Sequence, residues 1–351
     1  MVIEGDINIG SVTTVKLSYV TAFGDENKEK VCPDGVVSVE DENGQSYFGN
    51  LKSKENGTSA YTVPLQAAKN GVRYRLRVHN NDNGKDYVSD WVTAIQAPKV
   101  SPITHSYDMA TGRVQLYMSF HSTDNAKYFI WSYDEMWMHN AMYPSSLTYD
   151  YSVNKMFSQS PNTYYCWNKF SDSQLHIISG ESAGSEGVVV DNEVVASYDH
   201  NNIRFNNTYK LAVRVQAMDE DAYEYYINLR QISYPTGSLF TPVPSELPGN
   251  LHCEQDPEEL VYGYISGSAP TISLLTLYNS ETNYYIGKYH DDDQETIRDA
   301  KTEWRDAYNE GYRPLRYENR HYYWAKERCM NCLLSGGTNI EPAEWKDFGK
   351  Y

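Results

Sequence analysis

The chain has 351 residues, enough for two domains of ordinary size that each bury a core of their own. Its formal net charge of -17, with a pI near 4.9, sets up a field that repels nucleic acid and anionic lipid headgroups and excludes both as direct partners. Tyrosine is over-used, at 32 residues against 9 phenylalanines; a ring that packs while its hydroxyl stays wet suits an exported binding surface, although service as the β-sheet aromatic is the plainer account.

No run approaches the ~18 apolar residues that a membrane-spanning helix needs. Met1 leads directly into V-I-E-G-D-I-N-I, an alternating strand pattern, so any targeting or lipid-attachment segment is expected to have been removed ahead of it. Through the first hundred residues, short strands are expected at 2–9, 13–20, 36–41, 45–49, 60–64, 74–79 and 87–95. Asn43-Gly44 and Asn83-Gly84 lie between alternating segments, a strong hairpin signal. Tyr74, Leu76 and Val78 alternate with Arg73, Arg75 and Arg77, which gives one buried and one wet face. About seven strands a dozen residues apart predict an Ig-like or fibronectin-like β-sandwich over 1–98. Q-A-P-K-V-S-P-I, with Pro98 and Pro102, reads as a linker.

The remainder, 99–351, is expected to form a larger β-rich domain, sandwich or barrel-like, carrying two helices. Strands are expected at 114–120, 128–138, 175–179, 188–196, 208–217, 260–266 and 272–278, and 144–163 reads as a long exposed loop rich in Ser, Tyr and Asn. The first helix is placed near 219–233: Asp219 supplies an N-cap, acidic residues fill the first turn, and Tyr225, Leu229 and Ile232 form its stripe. The second is placed near 293–310, with Ile297, Ala300, Trp304 and Tyr308 on one face and Gly311 as the stop. Asp291–Asp293 lack the ligand spacing of a calcium loop and complement the helix N-terminus instead.

Catalytic signatures are missing: there is no G-x-S-x-G elbow, H-E-x-x-H, P-loop or G-x-G-x-x-G, and no two histidines lie three or four apart. With 47 acidic residues an accidental carboxylate pair is near certain, so nothing singles out a glycosidase pair. The chain is therefore read as non-enzymatic, with no cofactor. Cys329 and Cys332 form a Cys-x-x-Cys. Zinc would have to recruit distant Cys166 and Cys253, and the strand-then-turn context does not suit a redox helix. For an exported chain, disulfides among Cys166, Cys253, Cys329 and Cys332 are the favoured reading, with no metal and with Cys32 the odd one out. The remaining candidates are aromatic. Trp131 and Trp137, six apart on one strand, are expected in the core, whereas the loop tyrosines Tyr143, Tyr149, Tyr151, Tyr164 and Tyr165 are the expected contacts for a ligand or partner.

Several segments, taken in order, resemble a Bacteroidota family of surface lipoproteins labelled as a domain of unknown function, family 4249. They are V-I-E-G-D-I-N, G-V-x-Y-x-L-x-V with W-V, Y-F-I-W-S-Y-D-E-M-W, Y-Y-C-W, Y-K-L-A-V-R-V-Q-A-M-D-E-D-A-Y-E-Y-Y, P-S-E-L-P-G-N-L-H-C, V-Y-G-Y-I-S-G-S, and C-M-N-C with G-G-T-N and P-A-E-W. The resemblance spans essentially the whole chain. It implies a lipidated Cys just ahead of residue 1, location at the outer-membrane surface, and a gene beside a TonB-dependent (SusC-like) receptor. The implied role is that of an accessory, cargo-capturing subunit of the uptake complex, its cargo a small nutrient, glycan or peptide, with the membrane touched only through the lipid anchor. The resemblance also matches the family's cysteines to Cys166, Cys253, Cys329 and Cys332. A structural subunit without cargo and a surface hydrolase are the alternative classes.

Overall fold

The computed structural model describes residues 1–20, 31–69, 71–122, 126–158, 163–180, 187–233, 247, 249–287 and 293–349. The chain is mainly β. Its N-terminal sandwich has one sheet in the order Val2–Glu4, Val12–Ser18, Thr58–Pro64 and Asn50–Glu55. The second sheet runs Leu251–Cys253, Lys85–Ser89, Arg73–Asn80, Gly35–Asp41 and Ser46–Phe48, with Val92–Thr93 paired to Arg73–Asn80. Val15, Leu17, Val37, Val39, Leu76 and Val78 fill one shared core, while Arg75 and Arg77 point outward onto Glu40. Both Asn-Gly pairs stand at the expected hairpin turns, with Gly44 and Gly84 at positive φ of 89° and 69°, a conformation open to glycine without steric cost.

The first strand is broken at Gly5 into Val2–Glu4 and Ile7–Asn8, because the second piece leaves the sheet to pair in parallel with Gly267–Ala269. That same strand pairs in parallel with Ile95–Gln96. Residues 251–269 therefore pack with the first hundred. Leu251, Cys253, Val261, Ile265 and Ala269 complete the N-terminal core, and Arg77–Glu254 and Lys85–Glu259 pair at 2.7 and 2.6 Å across the junction. Of the strand expected at 260–266, only the single bridge Val2–Tyr262 forms.

The second domain packs Thr104–Asp108, Arg113–Ser122 and Val188–Asp199 against a sheet in the order Tyr165–Ser171, Tyr128–Asn140, Thr208–Met218 and Thr271–Tyr278. His176–Ser179 pairs with the far end of Tyr128–Asn140. Trp131 and Trp137 lie in the core between these sheets, as expected. Among the described residues no sheet closes into a barrel, and no helix is long and apolar enough to cross a membrane.

The helix Glu220–Ser233 is capped by Asp219, whose carboxylate accepts from the Ala222 amide at 2.9 Å. Its buried side differs from the expected stripe. Ala222 packs beneath Tyr223 and Tyr226, and Ile232 stands exposed, because the Tyr226 hydroxyl reaches in to Asp6 at 2.9 Å. The helix expected at 293–310 shortens to Lys301–Asn309. Thr296–Ile297 ahead of it pairs with His321–Lys326, so strand pairing takes the residues that periodicity had assigned to the helix. Asp291 and Asp292 lie outside the described residues, while Asp293 is buried against Arg328. The stretch read as an exposed loop contains a hairpin, Leu147–Asp150 with Lys155–Ser158.

One polar group lies deep in the second domain. Glu135, wholly buried on the central strand, accepts from Arg204 Nε at 3.0 Å, from the Tyr198 hydroxyl at 2.8 Å and from the Tyr209 hydroxyl. The Arg204 guanidinium lies 4.3 Å from the Trp137 ring centroid and 4.5 Å from that of Tyr198. Burial, followed by the charge of Glu135, pushes both tyrosine pKa values far up, so they remain donors. Glu135→Ala is expected to lower unfolding free energy by ~3–5 kcal/mol, measured by urea denaturation, because Arg204 loses its buried counter-charge. A loss under ~1 kcal/mol would mean that the network contributes no more than a surface pair.

Candidate functional site

The five loop tyrosines divide between core and surface. Tyr149 is 6% exposed, with its ring 6.1 Å from Trp304, 5.8 Å from Trp324 and 5.7 Å from Tyr308; it anchors a small aromatic core beneath the 147–158 hairpin. Hairpin pairing turns alternate side chains inward, and Tyr149 takes the inward position. Tyr143 packs partly buried beside Leu315 and Met330, and its amide donates to the Cys329 carbonyl at 2.8 Å. Tyr151 remains exposed at the rim, with Tyr308 at 5.5 Å and the Arg305 guanidinium at 5.4 Å. Tyr164 and Tyr165 meet edge-on at 4.5 Å beside the disulfide, with Tyr165 exposed.

A cavity of about 520 Å³ opens between this hairpin and the C-terminal segment, within the ~300–1,000 Å³ of ordinary ligand sites. Thr148, Tyr149, Tyr308, Arg313, Glu327 and Asn331 are among its walls. Arg313 lies flat over Tyr308 at 3.8 Å, pairs with Glu327 at 2.9 Å, and donates to the Tyr308 and Tyr312 carbonyls. Its charge is thereby matched, and the walls present aromatic and hydrogen-bonding surface with no net charge. The hairpin Tyr312–Glu318 with His321–Lys326 supplies Arg313; its second strand is the strand-like run expected ahead of the Cys-x-x-Cys, whereas its first strand was not expected.

The floor beside this cavity is held by a clasp. Cys166, on strand Tyr165–Ser171, is bridged to Cys332, with Cα atoms 5.7 Å apart. Around the bridge, Cys332 N–H donates to the Thr163 carbonyl at 2.9 Å, and Trp167 and Thr338 exchange two backbone bonds of 2.8 and 3.0 Å. Gly337, at φ +93°, allows that approach: a Cβ there would lie 2.4 Å from the Trp167 carbonyl oxygen. His139, 1% exposed, donates from Nε2 to the Cys332 carbonyl and accepts the Asn168 amide at Nδ1, both at 3.2 Å, which sets it in one neutral tautomer.

The other two cysteines expected in disulfides are not bridged. Cys253 sits in the N-terminal core on a strand paired with Tyr87, in the other domain from the clasp. Cys329 keeps its thiol, which lies 3.1 Å from Asp293 Oδ1. Cys32 is also unbridged and half-exposed. Among the described residues, no group of three or more His, Cys, Asp and Glu side chains could hold a metal ion. A further cavity, about 440 Å³, lies where Asp90 and Trp91 face Tyr225 and Tyr264 at the start of the helix Glu220–Ser233; Asp219, which caps that helix, is in its wall.

Residues 1–272 match the family described as Domain of unknown function (DUF4249). The chain belongs to that family. C-M-N-C, G-G-T-N and P-A-E-W lie beyond the matched residues, so the match includes Cys166 but not the C-terminal half of the clasp. No curated protein matches. One solved structure, described as a DUF4785 family protein from Legionella pneumophila, is similar at 11% identity and a TM-score of 0.22, over 56% of this chain and 55% of that one. The chain thus spans about half of that protein's length, and a likeness this low carries no argument.

Burial lowers the His139 pKa below its ordinary 6.5, against the weaker opposing pull of the Cys332 carbonyl. A depressed base is neutral in both states above pH 6.5, where its contribution to stability is complete. Below that, the unfolded chain takes the proton first, and stability falls until pH passes the folded-state value. Acidification below pH 6.5 is therefore expected to raise protease cutting within 327–349, and His139→Gln is expected to flatten that dependence. A pH profile unchanged by the substitution would show that His139 does not couple the clasp to pH.

Proposed function

We propose that this family member is a non-catalytic, surface-exposed outer-membrane lipoprotein, the accessory cargo-binding subunit of a TonB-dependent uptake complex. The observation that carries the binding half of this reading is the charge-matched, aromatic-walled cavity under the 147–158 hairpin. Tyr149 in its wall is braced from behind by Trp304 and Trp324, so that ring is pre-positioned and a ligand loses little ordering entropy on meeting it. The buried carboxylate that would first attract a catalytic reading, Glu135, is fully engaged by three donors, which supports binding over turnover. The membrane half rests on the resemblance of the quoted segments to surface lipoproteins encoded beside such receptors.

The lipidated protein, purified gently from native membranes, is expected to bring a TonB-dependent barrel with it; its absence would overturn the complex. Thr148→Trp fills the cavity from an exposed wall position without touching the aromatic core. That variant is expected to keep the barrel and to abolish uptake-dependent growth. Unaltered growth would assign the chain a scaffolding role instead and overturn cargo capture.

A further inference from the structure

Cys332 is bridged to Cys166, while Cys329, three residues before it, keeps its thiol. Cys329 and Cys332 stand three apart on successive single turns, Glu327–Cys329 and Cys332–Ser335, and both line one cavity of about 470 Å³ with Asp293, Arg328 and Asn331. Both are buried. The Cys329 thiol points at Asp293 Oδ1, the same oxygen that Arg328 grips through Nε at 3.0 Å and Nη2 at 2.7 Å. The thiol donates to that carboxylate, and Arg328 keeps the carboxylate in place. A reduced thiol and a disulfide sulfur three residues further on are the components of thiol–disulfide exchange.

We propose that Cys329 is the exchange thiol of an internal site that takes Cys332 from Cys166. At mildly alkaline pH the Cys329 proton is lost to hydroxide, and the sulfur attacks Cys332 Sγ. The Cys329–Cys332 bond forms as the Cys166–Cys332 bond breaks, and Cys166 leaves as a thiolate that takes a proton from water, which regenerates the hydroxide. One thiol and one disulfide stand on each side, so no oxidant or reductant is consumed. The Cys-x-x-Cys then closes on itself, and strand Tyr165–Ser171 loses its covalent hold on the C-terminal segment. The Trp167–Thr338 bonds and the His139 contact remain, so the segment is loosened and not unfolded. The walls of the hairpin cavity include Glu327, Asn331 and Leu333, all on that segment, so the exchange alters the cavity described above whatever occupies it.

The test uses the oxidised full chain with Cys32→Ser, which removes a half-exposed thiol capable of intermolecular exchange. The protein is held at mildly alkaline pH without reductant, alkylated at intervals, and mapped by mass spectrometry of its peptides. Cys166 is expected to become alkylated as Cys329 is lost to labelling, at a rate independent of protein concentration. In the same chain carrying Cys329→Ser, Cys166 is expected to stay unlabelled. The proposal is overturned if Cys166 never labels, or if it labels equally with and without Cys329, since that would be ordinary opening of the bridge.

Discussion

A carboxylate held away from water organises the second domain. Glu135 sits on the inward face of the central strand, where alternation calls for an apolar side chain, and removing a charge from water there is costly unless it is completely paired. Pairing comes from three separate elements: Arg204 on the short turn Ile203–Phe205, Tyr198 at the end of Val188–Asp199, and Tyr209 at the start of Thr208–Met218. Each donor has one position that satisfies the carboxylate, so the network sets how the two sheets meet. Trp137 and Phe170 then cover the guanidinium. The opposite end of the same strand pairs at Asn140 with Tyr165 and delivers Cys166 to the clasp.

A similar constraint joins the two domains. Asp6, at the break between the first two strands, accepts from Ser266 at 2.7 Å and from Tyr226 at 2.9 Å, while Gln216 reaches Asn8 at 2.7 Å. Burial pushes the Asp6 pKa up, and only these donors make its position tolerable. The N-terminal sandwich is in this way tied at once to the returning segment, the helix Glu220–Ser233 and the strand Thr208–Met218. Residues separated by more than two hundred positions act as one junction.

Most strands were legible because they obey local rules. Tyr74, Leu76 and Val78 against Arg73, Arg75 and Arg77 specify both the strand and its buried face, and Asn43-Gly44 and Asn83-Gly84 specify their turns. The helix Glu220–Ser233 was readable from Asp219 and its acidic first turn, but its inward side was not, since Tyr226 faces Asp6 for a reason two hundred residues away. The 293–310 segment misled because Ile297, although in helical register with Trp304, lies on a strand that another hairpin recruits. At the candidate site, Tyr149 was legible as an aromatic but its burial against Trp324 was not, while Arg313 and Glu327 gave no local sign that they would meet.

The cysteines mark the boundary between the two kinds of information. By itself the sequence determined that the chain is β-rich, that Trp131 and Trp137 are core, and that the Cys-x-x-Cys follows a strand-like run and leads into a Gly-Gly turn, since each of these depends on residues a few positions apart. Which sulfur meets which was decided only by the tertiary structure. Cys166 and Cys332 are 166 residues apart, and their meeting depends on where a central strand and a C-terminal segment come to lie. Cys253, to which the same composition gave the same standing, was carried into the other domain by a strand returning to the first sheet. Local periodicity reports burial and direction; a bond between distant side chains depends on the summed geometry of everything folded between them.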